Sequence, residues 1–185
     1  MRLYLVRHAA TAAWAAGRCC GRTDVPLSAE GRRDAERLAA AFADVDVAAV
    51  YASPLRRAVA TAEPIAAAAG RPVTTSAGLA EVDFGAFEGR TFDEIARAEP
   101  DLYARWMSAP AAVRFPGGEA FADVRARAVA AADAIARRHP SAAVVAVAHG
   151  GPIRALLGAG LGLPDDEVFR LDVPHASVRL VEWRA

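Results

Sequence analysis

Residues 141–148 read SAAVVAVA and are followed by His149-Gly150-Gly151-Pro152. A short apolar run of this kind, bounded by turn residues, is typical of a strand buried on both faces of a parallel sheet. The two glycines predict a tight turn, and Pro152 predicts the first turn of a helix, where a missing N–H is tolerated. The segment therefore indicates a parallel strand that leads directly into a helix.

The same alternation of strands and helices extends along the rest of the chain. Further strands are predicted over residues 2–7, 46–52 and 71–75. Further helices are predicted from the N-cap Ser28, from Ser53-Pro54 (with Pro54 as the first helical residue) to Gly70, from the capping box Thr91–Glu94, and over 119–139. Loops are expected at 9–27 and 110–118, and an antiparallel edge pair at 168–173 and 177–183.

This order of elements predicts a three-layer α/β/α sandwich with a mostly parallel central sheet and an antiparallel edge strand. No repeat or linker divides residues 1–185, so a single domain is expected. The adjacent Cys19 and Cys20 cannot form an ordinary structural disulfide, and no apolar segment is long enough to span a membrane. Because the N-terminus also lacks an export signal, a cytoplasmic protein is predicted.

Charge and composition restrict the chemistry. The 22 acidic residues balance 22 basic ones, which argues against nucleic-acid binding. Every basic residue is an arginine, and the chain has no lysine, asparagine or glutamine. A lysine Schiff base and a P-loop lysine are therefore excluded. An anion has to be bound by arginine, histidine, hydroxyl groups or backbone N–H groups.

Histidines and arginines follow three of the predicted parallel strands. Arg7-His8 ends the first, Ser53 to Arg57 follows the second, and His149-Gly150 follows strand 141–148. Because the carboxyl ends of parallel strands meet at one edge of a sheet, these side chains are expected to converge. One arginine can donate two parallel hydrogen bonds to two oxygens of a phosphate, and the helix N-terminus at Gly150 favours an anion. A neutral imidazole can act as a nucleophile toward phosphorus.

Four blocks of residues, in order, resemble the histidine phosphatase superfamily, which includes the phosphoglycerate mutases. They span residues 3 to 154, and the matching residues are Leu5-Val6-Arg7-His8, Thr11, Gly21, Asp24, Pro26-Leu27 and Gly31; Ser53 to Ala58 with Thr61-Ala62; Leu79-Ala80-Glu81, Phe84-Gly85 and Glu88-Gly89; and Val147 to Gly150 with Ile153-Arg154.

The resemblance implies a role for each residue that matches. His8 would become a phosphohistidine, while Arg7, Arg57 and His149 would hold the phosphate oxygens. Glu81 would start protonated, donate its proton to the leaving alcohol and then accept one from water. Thr11, Cys20, Gly21 and Gly150 are further predicted phosphate or substrate contacts. No metal and no cofactor is expected.

Three positions depart from the family pattern. Ala9 replaces the glycine that usually follows the nucleophile, Trp14 stands where mutase-type sequences have asparagine, and His175 replaces an asparagine before Ala-Ser-Val. Ala9 is acceptable where the backbone has negative φ. These departures bear on substrate choice more than on chemistry, and His175 is either a structural residue or a replacement for the amide.

The length of the chain favours a phosphatase over a mutase, since mutases carry extra segments. Residues 21–28, 84–90 and 115–119 resemble α-ribazole phosphatases, although broad-specificity and phosphoserine phosphatases share these features. Residues 84–120 are predicted to form a cap over the site, in which Trp106, Phe115 and Phe121 either cover the leaving group or pack against the sheet. The expected partner is a small phosphate monoester; a mutase, a non-catalytic phosphate-ester binding module and a homodimer stay open.

Overall fold

A computed structural model describes residues 1–184 and places a five-stranded sheet at the centre of the molecule. The strands are β1 (Arg2–Arg7), β2 (Val47–Ala52), β3 (Val73–Thr75), β4 (Ala143–Ala148) and β5 (Val178–Glu182). Their order across the sheet is β3-β2-β4-β1-β5, and every neighbouring pair is parallel except β1 and β5. The predicted mostly parallel sheet with an antiparallel edge strand is confirmed.

Seven α-helices occur in the part of the chain that the structure describes. They are α1 (Ala12–Ala15), α2 (Ala29–Ala40), α3 (Arg56–Ala68), α4 (Phe92–Ala98), α5 (Pro100–Ser108), α6 (Phe121–Arg138) and α7 (Gly150–Leu161). Short 3₁₀ turns lie at Ala77–Leu79, Gly85–Phe87, Pro110–Ala112 and Val168–Arg170. None of the helices within residues 1–184 combines the length and apolarity needed to cross a lipid bilayer.

The two faces of the sheet are covered by different helices. Along β4, Val145 and Val147 pack in one apolar cluster with residues of α2 and α3. Val144 and Ala146 belong to a second cluster, which contains residues of α6 and α7. All six residues of β4 are buried, as expected for a strand covered on both faces. The predicted three-layer sandwich is therefore confirmed.

Helix starts show both the strength and the limits of capping signals. Ser28 caps α2 by accepting the N–H of Gly31 at 3.0 Å, and Thr91 forms the predicted capping box with Glu94. The prediction that Pro54 begins a helix is wrong, because α3 begins at Arg56, whose N–H donates to Asp24 Oδ1 at 2.8 Å. Helix α7 likewise begins at Gly150, two residues before the predicted start. Pro152 fits in its first turn because N–H groups there lack helical partners.

Three other segments differ from the prediction. Residues 168–170 form a 3₁₀ turn rather than a strand, so only β5 pairs with β1 at this edge. The predicted loop 9–27 contains the short helix α1, capped by Thr11. The cap region contains a second helix, α5, which begins at Pro100 and packs Leu102, Tyr103 and Trp106 against the apolar cluster of Phe87 and Phe115.

Arg127 of α6 binds the segment that leads from β3 toward the site. Its Nη1 donates to the carbonyl oxygens of Gly78 and Ala80, at 2.9 and 2.5 Å, and its Nη2 donates to that of Glu81 at 2.8 Å. Nε and Nη2 also donate to the Glu119 carboxylate, at 2.8 and 2.9 Å. All five N–H donors of this guanidinium are thus used, and the backbone up to Glu81 is fixed to α6.

We predict that Arg127→Met lowers the free energy of unfolding by about 3 kcal/mol, because three carbonyl groups and a half-buried carboxylate lose their donors. Urea denaturation measures the loss. The matched control is Arg125→Met on the same helix, since Arg125 pairs only with Asp165 and both side chains are more than one-third exposed. The control should cost less than about 1 kcal/mol. Equal losses in the two variants would contradict the bracing role of Arg127.

Candidate active site

The register of three neighbouring strands brings His8, Ser53 and His149 together. Arg7 pairs with Ala148 between β1 and β4, and Ala52 pairs with Val147 between β2 and β4. The next residue of each strand continues this pattern, since the N–H of His8 donates to Ala148 O and that of Ser53 donates to Val147 O, both at 2.9 Å. The rings of His8 and His149 consequently lie side by side, with centroids 4.9 Å apart.

The hydrogen bonds of His8 fix which ring nitrogen is available. Nδ1 lies 2.7 Å from the carbonyl oxygen of Ala9, so in the neutral ring the proton resides on Nδ1 and Nε2 keeps its lone pair. Burial, together with the positive charge of Arg57, depresses the pKa of His8 well below its usual range. The side chain therefore stays neutral, and nucleophilic at Nε2, at physiological pH.

His149 is completely buried beside His8. Its Nε2 lies 2.8 Å from Ser53 Oγ, whereas its Nδ1 has no hydrogen-bond partner within the described chain. Burial, followed by the neighbouring His8 and Arg57, lowers the pKa of His149 well below its usual range. A buried polar atom without a partner is uncommon and calls for a bound group that could satisfy it.

Arg57 is held by the backbone of the loop that follows α1. Its Nη1 donates to Thr23 O at 2.9 Å, and its Nη2 donates to Gly21 O at 2.6 Å and, at 3.4 Å, to Cys20 O. Only 1% of the residue is exposed. Burial lowers the pKa of this guanidinium, but arginine keeps its charge in proteins.

The loop that holds Arg57 is itself held by Glu88. The carboxylate accepts N–H groups of Gly21, Arg22 and Thr23 at 3.1, 2.8 and 3.0 Å, and the Thr23 hydroxyl at 2.5 Å. Burial alone would raise the pKa of Glu88, but these hydrogen bonds hold it below its ordinary value. Position 21 of this loop accepts only glycine, because a Cβ there would lie 1.9 Å from Val82 O.

Two further arginines stand at the same edge. Arg7 donates from Nη1 to Val173 O at 2.5 Å, and its Cζ lies 5.6 Å from the Trp14 ring centroid, in a cation–π contact. Arg154 was not among the predicted site residues. It stands one helical turn after Gly150, so its side chain returns to the N-terminus of α7, and its Nη1 lies 3.0 Å from where a Cβ on Gly150 would be. That i, i+4 spacing is the signal that could have identified it.

Glu81 reaches the site from the segment braced by Arg127. Its Oε1 accepts the N–H of Val82 at 2.9 Å and that of Gly151, in the first turn of α7, at 3.1 Å. A Cβ on Gly151 would lie 2.5 Å from this oxygen, so the glycine allows the carboxyl group to approach the helix. The geometry thus places a carboxyl group at the same helix N-terminus that faces the arginines.

Of the three departures from the family pattern, Ala9 and His175 adjoin His8, and Trp14 adjoins His175 and Arg7. His175 lies with its ring centroid 5.1 Å from that of His8 and 5.1 Å from Trp14, and burial lowers its pKa to about 4. Ala176 follows with φ +56° and donates its N–H to the carbonyls of Arg7 and His8, at 3.2 and 3.3 Å. Ala176 is the one non-glycine residue with positive φ among residues 1–184. The φ of Ala9 is therefore negative, and an alanine fits there in place of the usual glycine.

One cavity joins these groups. Its lining includes Arg7, His8, Thr11, Cys20, Arg57, Glu81 and Gly150 from the predicted set. Among the described lining residues Gly21 and His149 do not appear; Gly21 contacts Arg57, and His149 lies against His8. Thr11 also caps α1, and burial raises the pKa of the Cys20 thiol. Within residues 1–184, no group of three or more His, Cys, Asp or Glu side chains is arranged to hold a metal ion.

The chain is similar to several curated proteins. It is 37% identical over 185 residues to the bifunctional protein Rv2228c of Mycobacterium tuberculosis, matching the whole chain but 50% of that protein, so it spans half the length of this relative. It is 32% identical to phosphoserine phosphatase 1 of Hydrogenobacter thermophilus, over 98% of the chain and 86% of the relative. It is also 30% identical to the probable phosphoglycerate mutase GpmB of Yersinia pestis, over 100% of the chain and 86% of that protein.

The fold of the chain is also similar to those of solved structures. YhfR of Bacillus stearothermophilus superposes with a TM-score of 0.93 at 34% identity, over 98% of this chain and 90% of that one. The α-ribazole phosphatase of Shigella flexneri gives a TM-score of 0.89 at 25% identity, over 100% and 91%. The family model of the histidine phosphatase superfamily (branch 1) matches residues 3–185. The resemblance noted in the sequence is thereby confirmed, and the chain belongs to the histidine phosphatase superfamily.

Proposed function

We propose that the chain is an enzyme that hydrolyses a small phosphate monoester through a phosphohistidine on His8. The observation that carries the proposal is a buried, neutral His8 with Nε2 free, beside the guanidinium groups of Arg7, Arg57 and Arg154. A nucleophile surrounded by fixed positive charge is suited to a phosphoryl group, since the negative charge of the transferring group is stabilised without reorganisation.

In the first step, Nε2 of His8 attacks phosphorus in line with the departing alcohol. A bond from phosphorus to Nε2 forms as the bond from phosphorus to the alcohol oxygen breaks. Glu81 donates its proton to that oxygen, so the alcohol leaves neutral and Glu81 becomes a carboxylate. The N–H of Gly151, 3.1 Å from Oε1, stabilises the carboxylate that results.

In the second step, water attacks the phosphorus from the side that the alcohol has vacated. Glu81 accepts a proton from this water, the bond to Nε2 of His8 breaks, and inorganic phosphate is released. The neutral imidazole and the protonated carboxyl group are both regenerated. One carboxyl group thus serves as acid and then as base, which requires it to lie on the side of the phosphoryl group opposite His8.

The remaining groups hold the phosphate oxygens. Arg7 and Arg57 are each fixed by backbone carbonyls and line the cavity, so they act as preoriented donors. The unpartnered Nδ1 of His149 supports a polar contact with the substrate, since a bound oxygen would satisfy it. We propose the same role for the N-terminus of α7 at Gly150 and for Arg154.

For the substrate, the sequence features at residues 21–28, 84–90 and 115–119 favour α-ribazole 5′-phosphate. The similarity to the Shigella flexneri enzyme supports this candidate, and the similarity to phosphoserine phosphatase 1 supports phosphoserine as the alternative. A mutase is the second candidate function, favoured by the similarity to GpmB. A non-catalytic phosphate-ester binding module is a third, and the first prediction below separates it from an enzyme.

We predict that ³²P from labelled phenyl phosphate becomes attached to His8 when the reaction is quenched in alkaline detergent, because phosphohistidine survives base. His8→Ala should carry no label and lose about 10³-fold or more in turnover, since the nucleophile is gone. The control is His139→Ala, whose ring lies at the end of α6 and pairs with Tyr51. Phosphatase activity that survives in His8→Ala would rule out the mechanism, and binding without label would favour the binding module.

We predict that Glu81→Gln slows alkyl phosphates by about 10²- to 10⁴-fold but slows p-nitrophenyl phosphate far less, because nitrophenolate leaves without a proton. Steady-state rates with the two classes of ester measure the difference, and equal losses for both leaving groups would refute an acid role for Glu81.

We predict that 3-phosphoglycerate with a trace of its bisphosphate yields inorganic phosphate without isomer interchange. Water reaches the phosphohistidine in a hydrolase, whereas a mutase returns the phosphoryl group to a bound acceptor. Phosphorus NMR follows both products in one sample. Interchange that is faster than phosphate release would replace the phosphatase proposal by the mutase.

A further inference from the structure

The cavity at His8 has two chemically different parts. One part carries the arginines and histidines described above. The other part is apolar. The two parts together form one cavity of about 280 Å³. Its walls are aromatic and aliphatic side chains from the cap region, α6 and the turn at 168–170, namely Val82, Phe84, Trp106, Phe115, Phe121 and Phe169.

The aromatic wall is already packed within the protein. Phe115 meets Phe84 edge to face, with centroids 4.8 Å apart, and meets Trp106 in the same way at 5.0 Å. Phe115 is 4% exposed, so the wall has a buried foundation. Because interlocking aromatic rings resist collapse, the apolar part keeps its shape for a ligand.

Glu81 lies at the boundary between the two parts. Its carboxyl group contacts the N-terminus of α7, while the next residue, Val82, packs in the apolar cluster of Phe87 and Phe115. In the proposed reaction Glu81 protonates the leaving oxygen. The carbon skeleton attached to that oxygen therefore extends along the apolar wall.

A positive charge on the substrate's alcohol is poorly matched by this cavity. Among the described residues that line the cavity, Glu81 is the one carboxylate. It is committed to proton transfer, so an ammonium group such as that of phosphoserine would be desolvated without a partner, which is costly. An exposed aromatic residue stands at the rim instead, since Trp14 lines the cavity and is 51% exposed.

We infer that the substrate is a phosphate monoester whose alcohol carries an aromatic or similarly flat apolar group, and that Val82, Phe84, Trp106 and Phe115 bind this group. The inference rests on the proposed function and narrows its substrate class. It disfavours esters whose alcohol carries an ammonium group, such as phosphoserine. An engineered apolar cavity of about 150 Å³ holds one benzene ring, so the whole cavity of about 280 Å³ has room for the phosphoryl group and one aromatic group.

The test compares esters that share one leaving-group chemistry. Naphthylethyl phosphate, ethyl phosphate and O-phosphoserine all release a primary alcohol, so differences in kcat/KM report the group beyond the oxygen. We expect naphthylethyl phosphate to exceed each of the others by about 10- to 100-fold, the gain from burying one large aromatic group. Equal values, or a preference for phosphoserine, would overturn the inference.

Two variants locate the preference on the wall. Trp106→Leu should reduce the ratio of kcat/KM between naphthylethyl and ethyl phosphate by about threefold or more, because aromatic contact area is lost. Trp14→Ala tests the rim, and its exposed position makes folding insensitive to the change. Leu180→Ala is the control, since Leu180 is 52% exposed on β5 and is not among the lining residues that the structure describes. Unchanged ratios in both folded tryptophan variants would overturn the assignment of the wall.

Failure of the proposed function gives a different result. None of the three esters would then release phosphate, p-nitrophenyl phosphate would be inert, and no label would appear on His8. That outcome also overturns the inference, because the inference depends on hydrolysis. Hydrolysis without preference, by contrast, leaves the proposed function intact and removes only the aromatic substrate class.

Discussion

Parallel pairing of β1 with β4, in the register that sets Arg7 against Ala148, brings together the two histidines of the candidate active site. The side chains that follow the two strands, His8 and His149, are forced into contact by this register and not by any bond between them. Pairing of β2 with β4 adds Ser53 on the other side. Since the period of side chains along a strand is two, a shift by one residue would turn Val145 and Val147 toward the wrong helices, so the burial of β4 protects the register.

The site combines burial with an excess of positive charge. Burial lowers the pKa values of Arg7, Arg57 and Arg154. Burial first, and the neighbouring arginine charge second, also lowers the pKa of His8, which keeps this side chain neutral. The proposed mechanism needs a neutral histidine as nucleophile and a positive surrounding for the phosphate ester. In that mechanism burial prepares His8 for attack, and the excess guanidinium charge attracts the substrate. The carbonyl groups that hold Arg7 and Arg57 keep the charges in place before the substrate arrives.

The sequence predicts the parts of the site that depend on local pattern. His8, Arg57 and His149 follow apolar runs, and the end of a parallel strand is a position that such runs reveal. Glu81 is different, because its segment is positioned by Arg127, 46 residues further along the chain, and only the resemblance to the family pointed to it. Trp14 and His175 could be seen as departures, but nothing in the sequence shows that both lie against His8 or Arg7. Helix α5 was missed because the prediction placed one helix after the capping box Thr91–Glu94 and did not use Pro100, the first residue of the next helix.

The absence of lysine explains how so much of the structure comes to depend on arginine–carbonyl contacts. A guanidinium has five donors in a rigid plane, so it can donate to a loop carbonyl with one part and to a phosphate with another. Arg57 donates to the carbonyls of residues 20, 21 and 23 and also lines the cavity. Arg127 uses three of its five donors on the carbonyls of residues 78, 80 and 81 and the other two on the Glu119 carboxylate. A lysine ammonium is a point charge on a flexible stem and would have to choose between the loop and the anion. In the proposed mechanism Arg57 both binds the phosphate and fixes the loop, so a loop displaced from Arg57 would also misplace the charge that faces the phosphate.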